Sequence, residues 1–305
     1  MLVSIITPSY EGEKYMQDYM DCIIKNRDNL EKEDELEVII VNDSPWKKLE
    51  IPPDFDACDF VRIITNSENK GIHASRVEGL EAAKGQYVMF LDQDDVIADN
   101  AVAVHISHIR KLMNEDGKTY ENCGIVSVSN AVLEQSDNTS VLWYRTDYHK
   151  KCVDDLKTYV NVGIQIISPG QCLIKKDVIP VFWKENIMSV NGADDYFLWI
   201  LLLFKAVCFR VIDEPLYIHR YTGENISADT KKTDESTYEF LEILGENDAV
   251  NKEIITGLLE MISFKAAFRE AGKIGKISVG LSNPKLLWAN IKYKRKTKTK
   301  LGFNR

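Results

Sequence analysis

Three carboxylates fall within four positions at Asp92-Gln93-Asp94-Asp95, directly after the apolar run Tyr87-Val88-Met89-Phe90-Leu91. Such a run reads as a short buried strand. Like charges repel, so a cluster of this kind at a strand end calls for a cation. Hard oxygen ligands suit Mg2+ or Mn2+, which bind through one or two carboxylates and complete their shell with water and phosphate oxygens. The chemistry predicted is a divalent metal that holds a diphosphate. The plain alternative is a capping turn, with Asp94 or Asp95 as an ordinary turn residue. An aspartate nucleophile of the phosphatase kind would follow the first strand of its domain, whereas this cluster follows the fourth.

Two further groups could join that chemistry. Asp194-Asp195 opens a helix whose continuation, residues 197–204, is almost wholly apolar. Paired acids at a helix start are favoured by the macrodipole alone. A carboxylate there, close to other acids, can also have its basicity raised enough to take a proton from a hydroxyl. His219-Arg220 follows a short apolar stretch. A histidine can complete a metal shell and an arginine can neutralise phosphate oxygens; a surface loop is the bland reading of the same pair.

The elements that must carry these residues are legible from hydrophobic patterning. Residues 2–7, 36–41, 60–64 and 87–91 read as strands. Helices are predicted over 13–25, over 72–84 with Gly85 as its stop, and after Asp99, which reads as an N-cap. Residues 1–110 therefore alternate as a Rossmann-like, mainly parallel sheet with helices on both faces, an α/β fold. In such sheets ligands bind at the C-terminal ends of the strands, where Asp92 to Asp95 fall. No G-x-G-x-x-G follows the first strand and no G-x-x-x-x-G-K-[ST] occurs, which argues against a dinucleotide site or a P-loop.

Past Asn122 the pattern predicts strands at 124–132, 141–144, 163–167 and 171–174 without intervening helices, as mixed or antiparallel additions. A helix over 194–205, strands at 208–212 and 216–219, and a polar loop at 221–227 follow. From Thr230 on, helices alone are predicted, at 234–244, 252–270 and 284–292. The expected division is 1–228 for the α/β domain and 229–305 for a helical C-terminal extension with a basic tail.

Composition bounds the rest. The chain has 305 residues, 45% hydrophobic and 28% charged, which is ordinary globular usage. Six cysteines are scattered singly, so reduced, packed thiols in a cytoplasmic protein are expected. The first residues are strand-like, and no signal peptide is expected; no apolar run is long enough to span a bilayer. Residues 285–305 hold eight Lys or Arg and no acid, so the remainder sets 30 basic against 47 acidic residues, a net charge of −17. An acidic body argues against nucleic acid as a partner. The tail, with Lys292, Lys294, Arg295, Lys296, Lys298 and Lys300, suits peripheral contact with an anionic membrane face.

Four blocks together resemble the family 2 glycosyltransferases with the GT-A fold, of the bacterial kind that builds capsular, O-antigen or wall polysaccharides. They are Val3-Ser4-Ile5-Ile6-Thr7-Pro8-Ser9-Tyr10; Val38-Ile39-Ile40-Val41-Asn42-Asp43-Ser44; Asn69-Lys70-Gly71-Ile72 through Ala83-Lys84-Gly85-Gln86-Tyr87 into the Asp92 cluster; and Gly192-Ala193-Asp194-Asp195-Tyr196-Phe197-Leu198. The resemblance implies that Pro8, Tyr10 and Glu11 line the nucleotide pocket. Asp43 would accept from a uracil or thymine ring, with Gly71 and Arg76 near base and ribose. Asp92 would approach ribose and metal, Asp94 would hold Mn2+ or Mg2+ with the diphosphate, and Gln93 and Asp95 would complete the donor side. Asp195 would be the catalytic base, with Asp194 the other candidate; His219, as a further metal ligand, and Arg220 would face the diphosphate.

Two departures bear on this. The second-strand turn reads Asn42-Asp43-Ser44-Pro45 rather than two acids and a glycine, so only Asp43 carries over. The late motif has Asp194 where the family has glutamate. The implied reaction is inverting transfer from a nucleotide sugar, UDP-linked above all, to a hydroxyl of a glycan or lipid-linked acceptor. The rivals are an inactive member that serves as a binding or scaffold subunit, and a sugar-phosphate nucleotidyltransferase. Retained acids speak against the first, and the lack of a glycine-rich basic loop after strand one against the second.

Overall fold

The computed structural model describes residues 1–55, 58–137, 139–223, 229–246 and 250–299. Its first half runs β1 (Leu2–Ser9), α1 (Met16–Asp28), β2 (Glu35–Asn42), β3 (Val61–Thr65), α2 (Ile72–Ala82), β4 (Tyr87–Phe90), β5 (Val96–Ile97) and α3 (Ala101–Cys123). Then come β6 (Ile125–Glu134), β7 (Ser140–Leu142), α4 (Asp147–Cys152), α5 (Leu156–Asn161), β8 (Cys172–Lys175), α6 (Val181–Glu185), α7 (Asp194–Phe204) and β9 (Cys208–His219). Four helices close the chain: α8 (Thr230–Gly245), α9 (Lys252–Glu270), α10 (Lys273–Ser282) and α11 (Pro284–Thr297).

Among the described residues the strands form one sheet in the order β3-β2-β1-β4-β8-β6-β9-β5, with β7 added to β6. The first four strands of that order are parallel, β8 is antiparallel to both β4 and β6, and β6 and β9 run parallel. Ile5, Ile6, Val38, Ile39 and Ile40 are fully buried, as a sheet covered on both faces requires. Each such side chain contributes roughly 1.5–3 kcal/mol by leaving water. The register sets Ser9 beside Asn42 and Ile6 beside Phe90. The loops after β1, β2 and β4 therefore leave the sheet along one edge, and they carry Tyr10, Asp43 and Asp92.

The predicted α/β fold is present, with four local differences. Residues 163–167 are not a strand. There the backbone hydrogen bonds go to side chains: the Gln165 amide donates to Gly163 O, and Trp143 Nε1 and Tyr144 Oη donate to Gln165 O. Helices α4, α5 and α6 fill a stretch where only strands were expected. The two strands predicted at 208–219 are one, β9, broken in register around Pro215, where a bulge tolerates a residue without an N–H. Asp99 does not cap α3; the N-cap position is Asn100, and Asn26 of α1 accepts from Val102 N at 3.1 Å instead. Asp99 faces Lys25 at 3.4 Å.

In the C-terminal part α10 was not foreseen, and the boundary placed near 228 lies outside the described residues, as does Lys300. Helix α7 is buried nearly all round, and Phe197 stacks on Phe240 of α8 with ring centroids 5.8 Å apart. No helix of the described residues is long and apolar enough to cross a membrane. All six cysteines are free.

Candidate active site

The turn after β4 is held from beneath by Asp95. This residue is 2% exposed. Its carboxylate accepts from Tyr217 Oη, from Arg220 N at 3.0 Å, and stands 3.3 Å from His219 Nδ1. It thus joins the end of β9 to the acidic turn and has little capacity left for a ligand. Arg220 continues the join. Its Nε donates to Asp94 O, its Nη1 donates to Asp18 at 2.9 Å, and its guanidinium lies over the Tyr15 ring. His219 and Arg220 therefore do stand beside the Asp94 turn.

Arg76 is placed otherwise than expected. It is 3% exposed, and its two terminal nitrogens go to carboxylates: Nη1 to Asp194 at 2.6 Å and Nη2 to Asp92 at 2.7 Å. A guanidinium so enclosed offers no face to a base or ribose; it joins the strand-end acids to the start of α7. Burial alone would favour losing its charge, but Asp194, Asp92 and Asp195 outweigh that and keep it protonated. Charge-assisted, two-ended contacts of this kind are the strong ones.

The remaining acids are pulled the other way. Burial raises the Asp92 carboxyl, with Arg76 drawing it back. Asp94 is pushed up to about 6 by burial and by Asp95 and Asp92. Asp195 is half-buried and accepts from Tyr196 N at 2.7 Å. Burial and Asp194 push it up to about 7. A carboxylate poised near neutrality is suited to general-base work. Asp194 is buried, and one of its oxygens accepts from Arg76 Nη1.

The edge above β1 and β2 forms the other wall. Asp43 is buried and accepts from Asn66 Nδ2 at 2.7 Å, Lys70 N at 2.8 Å and Gly71 N at 2.8 Å. Gly71 has φ 87°, and a Cβ there would lie 2.9 Å from Asn191 Oδ1. That oxygen accepts from Ile72 N at 3.0 Å, so a residue just before α7 caps α2. Gln93 accepts from Ser9 Oγ and donates to Tyr10 O at 3.0 Å, and Gly12 leaves room for it, since a Cβ there would fall 2.0 Å from Gln93 Oε1. Pro8 is buried in β1. Glu11 has φ 48°, a strained value at a loop tip. Tyr10 packs edge-on against Trp46, and both rings are exposed. Sequence reasoning missed Trp46; an aromatic next to the Asp43-Ser44-Pro45 turn was its available signal.

Helix α8 braces the loop that leads into α7, whose first turn carries the candidate base. Glu239 accepts from Ser189 N at 2.7 Å, Ser189 Oγ at 2.6 Å and Val190 N at 2.8 Å. Ser236 Oγ accepts from Ala193 N at 3.0 Å and donates to Val190 O at 2.7 Å. No pattern in the sequence marked either residue. A cavity of about 500 Å³ opens here, lined by Ser189, Val190, Asn191, Lys231, Lys232 and Glu235 among others. The larger one, about 1060 Å³, lies by Met1, Tyr87 and Lys175 at the opposite end of β1 and β4, away from the acids.

Among the described residues no three His, Cys, Asp or Glu side chains converge as a metal cage. Asp94 nonetheless fits a metal completed by phosphate oxygens. Burial and two like charges, Asp95 and Asp92, raise its carboxyl, and a hydrogen bond from its own backbone and the nearby His219 offset them only in part. That is the donor chemistry a hard divalent cation neutralises.

The model of the family described as "Glycosyl transferase family 2" matches residues 4–179. The putative teichuronic acid biosynthesis glycosyltransferase TuaG of Bacillus subtilis is 34% identical over 239 residues, 78% of this chain and 86% of that protein. Three other curated relatives, uncharacterized glycosyltransferases of Bacillus subtilis, Haemophilus influenzae and Rickettsia bellii, are matched over only 27% to 38% of their own length. The fold is similar to that of S. aureus TarS 1–349 in complex with UDP-GlcNAc, with a TM-score of 0.57, 18% identity, and 97% of this chain and 82% of that one covered. A mannosyltransferase of Pyrobaculum calidifontis in complex with GDP-Man and Mn2+ has a TM-score of 0.53 at 13% identity, and covers 95% of this chain and 83% of its own. At such identities the likeness concerns the fold alone, a GT-A-type mixed sheet with helical additions. The family match over more than half of the chain and the 34% identity to TuaG settle its membership: the chain belongs to glycosyl transferase family 2.

Proposed function

We propose that the protein transfers a sugar from a nucleotide-sugar donor, UDP-linked by preference, to a hydroxyl of a glycan or lipid-linked acceptor in polysaccharide biosynthesis, with inversion and with a divalent metal. The observation that carries the reading is the Arg76 bridge. It sets the Asp92–Asp94 strand end and the Asp194–Asp195 helix start in one site.

Asp195 takes the proton of the acceptor hydroxyl as its oxygen attacks the anomeric carbon. Asp194, fixed by Arg76, holds the helix start in place. Asp43, Gly71 and the Tyr10–Trp46 pair receive the nucleotide, and the cavity beside Asn191 receives the acceptor. Asp94, with Asp92 and His219 adjacent, would hold Mn2+ or Mg2+, which supplies Lewis-acid neutralisation of the departing diphosphate. The displacement is direct and needs no covalent intermediate. The same reading takes residues 1–228 as the transfer unit and 229–305 as a helical extension that braces it through α8, working at the cytoplasmic side of a membrane. The UDP-GlcNAc held by TarS supports a UDP-sugar donor, and TuaG supports a wall polysaccharide as product.

The test is a thermal-shift panel of UDP, dTDP, GDP and their sugars, each with and without Mn2+. One nucleotide should raise Tm only when the metal is present, since a ligand that binds the folded state alone stabilises it. Stabilisation by none of them in Mn2+, or by all equally without it, would overturn the reading.

A further inference from the structure

Ile274, Ile277 and Leu281 of α10 are 85%, 64% and 72% exposed. At 100° per residue they fall within about 60° of one another on the helix, so they form one apolar stripe. The opposite side of α10 carries Val279, which packs on the core, and Gly280 beside the stripe faces Leu287 of α11. Helix α11 is fastened inward through Leu286, Asn290, Tyr293 and Thr297, and Tyr293 Oη is 2.8 Å from both His149 and Gln165. Trp288, 65% exposed, lies on the far side of α11 from that buried stripe. Two adjacent helices thus leave large apolar side chains in solvent on purpose-built scaffolding. Scattered exposed apolar residues are ordinary, but a stripe on one helix face is not.

The charge around the stripe says what covers it. Residues 271–299 contain eight Lys or Arg and not one Asp or Glu. Lys273 and Lys285 are exposed, and Lys273 falls about 40° from Ile277 around the helix, while Lys276 lies over the Phe268 ring of α9, away from the stripe. A second copy docked two-fold through this face would bring the basic residues of 271–299 near their own copies. An apolar stripe with a basic rim and a tryptophan nearby matches the boundary between anionic headgroups and acyl chains.

We propose that α10, with Trp288 of α11, is a docking face that lays the protein on an anionic lipid bilayer, inserting Ile274, Ile277 and Leu281 at the headgroup boundary. The basic end of α11 adds long-range attraction, while the apolar stripe of α10 makes the contact. The docking face is independent of the transfer chemistry, and donor binding serves as the control for folding.

The experiment is co-sedimentation of the full chain with vesicles of phosphatidylcholine alone and with 30% phosphatidylglycerol (a fraction chosen on the order of cellular anionic content). The wild type should bind the anionic vesicles and release in high salt. The double variant Ile277→Asp/Leu281→Asp should bind them roughly tenfold or more weakly, with its donor-induced Tm shift unchanged. Equal binding by variant and wild type, no binding by the wild type, or salt-insensitive binding to neutral vesicles overturns the proposal. So does a sedimentation-velocity result in which the variant merely converts a wild-type dimer to monomer.

Discussion

Arg76 Nη1 and Asp194 Oδ2 stand 2.6 Å apart with both side chains only 4% exposed. The same guanidinium reaches Asp92 at 2.7 Å. A buried cation between two acids is costly to desolvate, and its contacts compensate only while all partners stay. Arg76→Met should therefore leave two carboxylates uncompensated and destabilise the fold by about 3–5 kcal/mol, read as a lower urea midpoint. Arg76→Lys should recover only part, because a single ammonium cannot present two forked donors. A midpoint unchanged in Arg76→Met would mean that the bridge does not hold the site together.

The raised Asp195 carboxyl links stability to pH. Its folded-state value near 7 lies above the ordinary value of 3.8. Between those values the folded chain keeps a proton that the unfolded chain has released. Stability therefore falls as pH rises through that window, and the full cost is present above pH 7. Asp195→Asn should remove the cost, so its Tm should exceed that of the wild type by about 2–6 °C at pH 8 and by little at pH 4. A Tm difference that does not widen with pH would rule out the raised carboxyl. Transfer by the wild type should decline below pH 7, as the base becomes protonated.

How much of this was readable in advance follows from what each residue answers to. β1, β2 and β4 are buried on both faces, so their sequences are near-continuous apolar runs, and their acidic ends stand out against them. Arg76 was legible as a residue of interest but not in its place, because its partners lie 16 and 118 positions away. Asn26 took the capping role given to Asp99 for the same reason: the cap comes from another helix. Residues 163–167 alternate like a strand, yet Gln165, Trp143 and Tyr144 take their backbone groups. Helix α10 carries Gly275 and Gly280 and no side-chain cap, so propensity argued against it, and packing against α9 and α11 decides.

Glu239 separates support from chemistry. It holds three donors of the 189–190 backbone and side chain, and touches none of the acids. Glu239→Ala should free the loop before α7 and lower kcat by about tenfold to a hundredfold. Donor affinity should stay the same, and Glu239→Gln should restore part of the rate. Equal loss of donor binding and rate would place Glu239 in the donor pocket instead.

Asp195 is proposed as the base of a site whose donor half, around Asp43 and Asp94, is built from other elements. That role is tested most directly by release of nucleoside diphosphate from the donor that the thermal-shift panel identifies, measured for wild type and Asp195→Asn with acceptor glycan present. Donor binding at wild-type strength and a rate lower by roughly 10²–10⁴-fold are expected. Release at a near-normal rate by Asp195→Asn would contradict that role.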